Sequence, residues 1–219
     1  MIGSFFWISA IYFYCKYTMK LSDSSNWLFF AIVVAFMYFA NLAVIQSKCS
    51  SPMPVFRATF LPWFLMFAPV LLALMMFPSW KTPFSNTFGY LVARIAGGNQ
   101  ALLDLLVPNQ PLQYVYEDPS LLLNQFTTTN FETMFQSMKE VMVDDAVKKE
   151  ALLQVVRLKE IISEWIWFLL GASVAISSSY TILMNTECTK SAEEYVLKHN
   201  IAMAETEEKV APTLYTITD

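Results

Sequence analysis

Side chains able to do acid–base, nucleophilic or metal chemistry are few in this sequence and lie far apart. The single histidine, His199, is in an acidic C-terminal stretch, and the three cysteines are Cys15, Cys49 and Cys188. No Cys-x-x-Cys pair and no spacing typical of a zinc site connects them. His199 has only Cys188 near it to activate, so a solvated or structural histidine is the simpler interpretation. The sequence therefore predicts no catalytic residue, no metal ligand and no cofactor.

The sequence also lacks the motifs of known enzyme classes and of nucleotide-binding proteins. Gly97 and Gly98 form a glycine pair, but no Lys-Ser or Lys-Thr follows them as in a phosphate-binding P-loop. Neither the Gly-x-Ser-x-Gly nucleophile motif nor the His-Glu-x-x-His zinc motif is present. The net charge of −4 provides no basic surface for nucleic acid. We therefore expect a protein that is not an enzyme and does not bind nucleic acid.

The composition is typical of a membrane protein. Of the 219 residues, 56% are hydrophobic and 15% are charged, and the mean hydropathy is +0.44. About a quarter of the residues in an average soluble domain are charged, so an ordinary soluble protein is excluded. The many aromatic residues exclude a disordered chain. The fold class that the sequence predicts is an all-α membrane protein with about four transmembrane helices.

Three apolar stretches have the roughly 20 residues that a helix needs to span a bilayer. They are residues 27–45, 60–77 and 161–184. A fourth stretch, residues 2–19, carries its bases after the apolar run, whereas a cleaved signal peptide carries them before it. We expect this stretch to be a retained first span, with Lys16 and Lys20 extending to the interface. The alternative is a helix that lies in the headgroup region.

These stretches divide the chain into four regions. They are an N-terminal transmembrane region (1–77), a membrane-external, mostly helical segment (78–160), the last transmembrane helix (161–184) and an acidic polar tail (185–219). Lys and Arg are in excess at the ends of the second region, which predicts that it faces the cytosol. Residues 145–184 contain no proline, so a single helix roughly 60 Å long could run through them as a rigid stalk. Asp144 or Asp145 could cap that helix.

Two features inside the predicted spans affect helix packing. Pro62 and Pro69 each remove a backbone hydrogen bond, which predicts either a hinge or a bent packing helix. Gly171, Ala175 and Ser179 recur at four-residue spacing in the last span. Such a stripe of small residues is typical of a packing face, either within the chain or between the copies of a homo-oligomer.

Glu164 is the one acidic residue within a predicted span, and it lies one turn from the start of that span. We expect it to reach the interface or to pair with Lys159 or Lys81. A transporter or channel subunit would need polar groups at membrane depth. Only Asn41, residues 177–179 and Glu164 could line such a path, and this makes transport the alternative function.

The segment after the third apolar stretch is rich in aromatic residues. Trp80, Phe84, Phe88 and Tyr90 suit the aromatic belt that membrane proteins place at the membrane–water interface. Further along, Thr129 and Glu132 have the spacing of a capping box at the start of a helix.

A stripe of large apolar residues follows this predicted helix start. Its members are Phe131, Met134, Phe135, Met138 and Met142, which recur at helical spacing. The stripe predicts either a core face of the middle segment or a partner-binding groove.

The acidic tail and the cysteines near it leave two further alternatives open. The tail after residue 184 is predicted to be either flexible or a docking strand. Cys49 and Cys188 fall on the same side of the membrane in this topology, so a disulfide between them is geometrically open.

One stretch carries a resemblance to a known group of proteins. Trp80-Lys-Thr-Pro-Phe-Ser-Asn-Thr-Phe-Gly-Tyr90 directly follows an apolar span. It resembles a segment of multi-pass membrane proteins of large icosahedral DNA viruses, the phycodnavirus, iridovirus and mimivirus group, and the order of spans agrees roughly. The resemblance implies a minor capsid protein of the virion's internal membrane, made in a host endomembrane. Its implied partners are the lipid bilayer and capsid or other minor capsid proteins.

Overall fold

The computed structural model describes residues 2–46, 53–107 and 113–186, together with residues 196, 199–201 and 203. All regular elements in this part of the chain are helical, and the one β feature in it is an isolated bridge between Leu106 and Met142. The all-α prediction is therefore confirmed for the described residues. The pairing of Cys49 with Cys188 and most of the acidic tail lie outside them.

Long helices make up both ends of the described chain. They are α1 (Ile2–Thr18), α2 (Ser25–Gln46), α3 (Met53–Pro62), α4 (Ala68–Met76) and α11 (Ala146–Met184), and a π-helical turn, Trp63–Phe67, joins α3 to α4. We call these helices the bundle. The side chains of Phe5, Phe29, Phe67 and Phe168 come from α1, α2, the π turn and α11, and they meet in one hydrophobic core.

Three helical stretches are long and apolar enough to cross a membrane: Ser25–Gln46, Val55–Met76 and Ala146–Met184. These stretches fit a membrane protein. The 17 residues of α1 form a helix over the predicted first span, but it is only about 25 Å long against about 30 Å of hydrocarbon. That α1 crosses the bilayer therefore stays a prediction.

The stretch from α3 to α4 contains Pro62 and Pro69, for which the sequence predicts a hinge or a bent packing helix. α3 ends at Pro62, and Pro69 lies in the first turn of α4. Because Pro69 has no N–H to donate, regular α-helical bonding fails just before it. The wider π turn lies at this point, and its Trp63 and Phe67 are buried in the bundle. The π turn that lies between the two prolines is therefore packed into the bundle core.

Between α4 and α11 the described chain forms a group of short helices. They are α5 (Thr82–Phe84), α6 (Tyr90–Ile95), α7 (Gly98–Leu103), α8 (Gln113–Glu117), α9 (Ser120–Leu123) and α10 (Phe131–Ser137), with a 3-10 turn at Pro78–Lys81 and a π turn at Ser85–Gly89. We call them the middle module. Leu105, Phe126 and Phe135 of the module form a second core together with Leu152 and Val156 of α11.

A single helix, α11, belongs to both cores. It runs for 39 residues, as the absence of proline predicted. The Asp145 side chain caps its start by accepting hydrogen bonds from the backbone N–H groups of Val147 and Lys148, at 2.9 and 3.2 Å. Of the two aspartates proposed as the cap, Asp145 is therefore the one that acts.

The predicted capping box at Thr129 and Glu132 is wrong. α10 begins after Asn130, and no side chain caps it. Instead Asn130 and Thr127 bond reciprocally: Thr127 N–H donates to Asn130 Oδ1 at 2.7 Å, and Asn130 N–H donates to Thr127 Oγ1 at 3.1 Å. Glu132 turns away from the helix start because its carboxylate pairs with Lys149 at 2.6 Å.

Candidate functional site

A buried group of charged and amide side chains joins α1, α2 and α11. Lys16, in the last turn of α1, donates from Nζ to both carboxylate oxygens of Glu164, at 2.8 and 2.9 Å. The same ammonium donates to Asp23 Oδ1 at 2.9 Å and to Asn26 Oδ1 at 3.0 Å. Lys16 and Glu164 are each 2% exposed. We call Lys16, Asp23, Asn26, Glu164 and the adjacent Lys81 the ion network.

Further donors complete the ion network. Asn26 donates from Nδ2 to Glu164 Oε1 at 2.6 Å, and Tyr12 donates its hydroxyl to Asn26 Oδ1 at 2.7 Å. Lys81 Nζ lies 3.4 Å from Asp23 Oδ2 and 3.7 Å from Glu164 Oε2. The network therefore connects α1, α2, α11 and the turn after α4.

The charges in the network stabilise one another. Burial raises the pKa of Asp23, but the ammonium groups of Lys16 and Lys81 outweigh the burial and hold this pKa below its usual value. Asp23 is thus ionised at neutral pH. Both oxygens of Glu164 accept hydrogen bonds from Lys16, and Oε1 accepts a further one from Asn26. The geometry suits the joining of helices.

The ion network corrects one sequence prediction and confirms one alternative of another. Lys16 does not extend to the interface: its ammonium is buried, and the Glu164 carboxylate compensates its charge there at 2.8 Å. Glu164 does pair with Lys81, at 3.7 Å, as one of its two predicted alternatives, but its nearer partner is Lys16. The signal in the sequence was a base at the end of one apolar stretch and an acid near the start of another.

Lys159 occupies a separate buried site in the middle module, outside the predicted span. It is 1% exposed, and its Nζ donates to the Leu123 carbonyl at 2.9 Å, to Asn86 Oδ1 at 3.2 Å and to Asn124 Oδ1 at 3.4 Å. Burial lowers the pKa of Lys159 to about 8, and the nearby carboxylate of Glu160 opposes this only in part. Lys159 therefore holds the π turn at Ser85–Gly89 and the end of α9 against α11.

A smaller polar cluster lies near the other end of the bundle. Asn41 of α2 donates from Nδ2 to Thr59 Oγ1 at 2.8 Å and to Ser179 Oγ at 2.9 Å. All three side chains are buried. The cluster joins α2, α3 and α11, so Asn41 and Ser179 connect helices at this level.

Aromatic side chains fill the bundle between the ion network and the Asn41 cluster. Phe168 lies one turn beyond Glu164 along α11, and its ring is 5.0 Å from that of Phe13 and 5.2 Å from that of Phe67. The rings of Phe30 and Phe67 stack at 5.7 Å. In the described part of the chain, the two polar groups are therefore separated by an apolar, closely packed layer.

The four residues assigned to an aromatic belt lie in two different surroundings. The Trp80 carbonyl accepts a hydrogen bond from Trp167 Nε1 at 2.9 Å, and Phe84 packs edge-on against the Trp167 ring at 5.1 Å. Phe88 is exposed. Tyr90 instead packs on the middle-module core and donates its hydroxyl to Asn99.

The small-residue stripe on α11 lies inside the chain. Gly171, Ala175 and Ser179 are buried, and Gly171 faces Phe67 and Val70. A Cβ at Gly171 would lie 3.3 Å from the Phe67 ring. Gly171 therefore packs against the π turn and α4, and Ser179 accepts a hydrogen bond from Asn41 of α2, which is the intramolecular alternative.

The predicted partner-binding stripe also lies inside the chain. Phe131, Phe135 and Met142 are buried, and Met134 and Met138 are partly buried against the same core. These five residues therefore form a core face of the middle module. The spacing allowed this alternative as well as a partner-binding groove.

Comparisons with protein-family models, with curated proteins and with solved structures return no match. Among the described residues, no group of three His, Cys, Asp or Glu side chains is arranged to hold a metal ion. We therefore infer function from the geometry of the helices and of their polar contacts.

Proposed function

We propose that this chain is a structural, non-enzymatic membrane protein that links a bilayer to a protein layer. Following the resemblance of residues 80–90, we assign the bilayer to the internal membrane of a large icosahedral DNA virus and the layer to its capsid. The chain would then be a minor capsid component, inserted into a host endomembrane during assembly. The observation that carries the proposal is α11, a single helix shared by the bundle core and the middle-module core.

The length of α11 supports a spacer role. Its 39 residues extend about 58 Å, and a bilayer core takes up about 30 Å of that. The remaining part carries Leu152, Val155 and Val156, which are packed into the middle module. A helix fixed at both ends in this way holds the module at a constant distance from the bilayer.

The middle module offers an exposed apolar face for a protein partner. Phe88, Leu91 and Ile95 are 54%, 54% and 80% exposed, whereas Gly89 and Ala93 on the opposite side are buried. Neighbouring exposed apolar residues are typical of an interaction site. We assign this face, rather than the buried stripe from Phe131 to Met142, to the contact with the capsid layer.

Crosslinking mass spectrometry on particles from the native source tests this function. The exposed Lys139, which follows α10, and Lys148, in the first turn of α11, should form crosslinks to capsid or minor capsid proteins at a fixed stoichiometry. Crosslinks confined to the chain itself, in particles that contain it, would contradict the proposal.

A pair of variants tests the exposed face. Leu91→Glu together with Ile95→Glu should remove the chain from particles while leaving its insertion into membranes intact, since these side chains face away from the core. Val147→Glu is the matched control, because Val147 is 79% exposed on the first turn of α11 and lies outside the proposed face. Equal incorporation of the unaltered chain, the double variant and the control into particles would contradict the assignment.

The alternative is a subunit of a transporter or channel complex. The polar groups of Asn41, Ser179 and Glu164 are the observation that favours it. The aromatic layer around Phe168 separates these groups, which argues against a path through one chain. Full transport activity after alanine substitution of Asn41 and Ser179 would count against this alternative.

A further inference from the structure

Two adjacent cavities lie beside the ion network. The first has a volume of about 280 Å³ and the second about 260 Å³, and Asp23, Lys81, Thr128 and Glu160 line both of them. They are enclosed by the turn after α4, the loop before α10 and α11. The cavities therefore lie where the bundle meets the middle module.

The carboxylates of the first cavity already have donors. Glu160 accepts hydrogen bonds from Thr128 N–H at 2.8 Å and from Thr128 Oγ1 at 2.6 Å. Asp23 and Glu164 accept from Lys16 at 2.9 and 2.8 Å. All three acidic groups in this cavity are thus hydrogen-bonded within the chain.

Two cations of the same cavity have donors to spare. The Lys81 side chain is largely buried, with 13% exposed. Its Nζ nevertheless lies no closer than 3.4 Å to Asp23 Oδ2 and 3.7 Å to Glu164 Oε2. Arg157 lines the cavity, and its charge acts on the exposed carboxylate of Glu150, but no hydrogen bond joins its guanidinium to a described residue. An ammonium and a guanidinium that face one cavity with unused donors favour an oxyanion, and a phosphate suits the planar fork of arginine.

The second cavity has a different lining. Besides the shared residues it presents hydroxyl and amide groups, from Ser79, Thr82, Ser85, Asn86, Thr127 and Thr129. Leu74, Met75 and Pro78, at the end of α4, form an apolar part of its wall. Hydroxyl and amide groups bind the hydroxyls of a polyol, and an apolar wall from the end of a candidate spanning helix suits the start of an acyl chain.

We propose that the two cavities bind a phosphodiester that carries a hydroxylated headgroup, as in phosphatidylglycerol or phosphatidylinositol. The phosphate lies between Lys81 Nζ and the Arg157 guanidinium. The headgroup hydroxyls contact the serine and threonine side chains of the second cavity. A soluble phosphorylated polyol has the same chemistry, and the experiment distinguishes the two sources.

Native mass spectrometry of the full chain released from nanodiscs tests this site. The discs contain phosphatidylcholine with a minor fraction of phosphatidylglycerol or phosphatidylinositol. The chain should retain the minor lipid far above its share in the disc. Arg157→Gln should reduce this retention about tenfold, the effect of losing one charge-assisted hydrogen bond.

Arg94→Gln is the matched control, because Arg94 is exposed on α6 and does not line either cavity. It removes the same charge and should leave retention unchanged. Arg157 has no described acceptor to lose, so its substitution should not unfold the protein. Equal retention by the two variants, or no enrichment by the unaltered chain, would overturn the proposal.

Competition identifies the source of the phosphate. Lipid that stays bound in excess glycerol 3-phosphate or inositol 1-phosphate supports a lipid site. Displacement of the lipid by these soluble compounds, from both the unaltered chain and Arg94→Gln, supports the same phosphate chemistry with a soluble ligand.

Discussion

At the scale of single residues, the buried pair of Lys16 and Glu164 joins α1 to α11. Glu164→Gln keeps the shape of the side chain but leaves Lys16 with Asp23 as its only carboxylate partner. Removing one member of a buried ion pair costs about 3–5 kcal/mol, and the remaining Asp23 should hold the loss near the lower end. Unfolding of the full chain in detergent micelles, followed by tryptophan fluorescence, measures this loss in the free energy of unfolding.

Glu150→Gln is the control for this prediction. Glu150 pairs with Lys20 at 3.0 Å, and both side chains are about half exposed. Exposed pairs contribute little, so we expect almost no change in stability. If the two variants lost the same free energy, the ion network would not have the structural role assigned to it.

Lys159 makes the stability of the protein depend on alkaline pH. Its pKa is about 8 in the folded chain against 10.5 for the free side chain, so the unfolded chain binds more protons between these values. We therefore compare the free energy of unfolding of the unaltered chain with that of Lys159→Met. The difference should shift in favour of the unaltered chain as pH increases from 8 to 10.5, by about 3 kcal/mol at most.

Comparing the two proteins at each pH cancels the titration of tyrosines and other lysines. Lys159→Met also loses the hydrogen bonds from Nζ to the Leu123 carbonyl, Asn86 and Asn124, so the comparison uses the change of the difference with pH and not its absolute size. A constant difference in free energy of unfolding between pH 7 and 10.5 would contradict the assignment.

Residue types and spacing predicted the residue-scale contacts only in part. The sequence predicts that Lys16 and Glu164 both lie near a membrane boundary, but their pairing depends on α1 and α11 being antiparallel neighbours. Thr129 and Glu132 have capping-box spacing, yet the competing contact between Glu132 and Lys149 depends on where α11 passes. Contacts between distant elements are the kind of information that local spacing does not contain.

At the scale of elements, close packing of the middle module against α11 depends on glycine. A Cβ at Gly89 would overlap the Lys159 carbonyl, and one at Gly98 would lie 2.7 Å from Val155 Cγ1. Gly89→Ala should therefore cost about 1–3 kcal/mol of stability, the usual effect of overpacking. Gly3→Ala is the control, since a Cβ there has open space. Similar unfolding curves for the two variants would contradict the packing described.

The start of α11 offers a second element-scale test. Asp145→Ala removes the cap that binds the N–H groups of Val147 and Lys148, which should cost about 1 kcal/mol. Hydrogen exchange of these two amides should become faster. Asp144→Ala changes the neighbouring aspartate, which is not the cap, and should leave the exchange rates unaltered. Faster exchange in both variants, or in neither, would show that Asp145 is not the cap.

Helices were predicted well where the hydrophobic pattern is long. The spans and the continuous α11 follow from apolar length and from the absence of proline, which act locally. The π turns at Trp63–Phe67 and Ser85–Gly89 were not predicted, because their geometry depends on what packs against them. Trp63 and Phe67 are buried among side chains from other helices.

At the scale of the whole molecule, we propose that one rigid helix holds a helical module at a fixed distance from a bilayer. The bundle core and the module core are separate groups of side chains, and α11 connects them. An apolar face at Phe88, Leu91 and Ile95 and a phosphate site at Arg157 would then place the protein between lipid and a protein layer.

Pulsed electron paramagnetic resonance on the chain in nanodiscs tests the central claim most directly. Spin labels replace Val147 and Val174, two exposed residues of α11, in a variant whose cysteines at positions 15, 49 and 188 are changed to serine. A continuous helix predicts a single narrow distance near 40 Å at 1.5 Å per residue, before allowance for the label linkers. A broad distribution, or a much shorter distance, would show that α11 bends or breaks between the bundle and the middle module and would contradict the account.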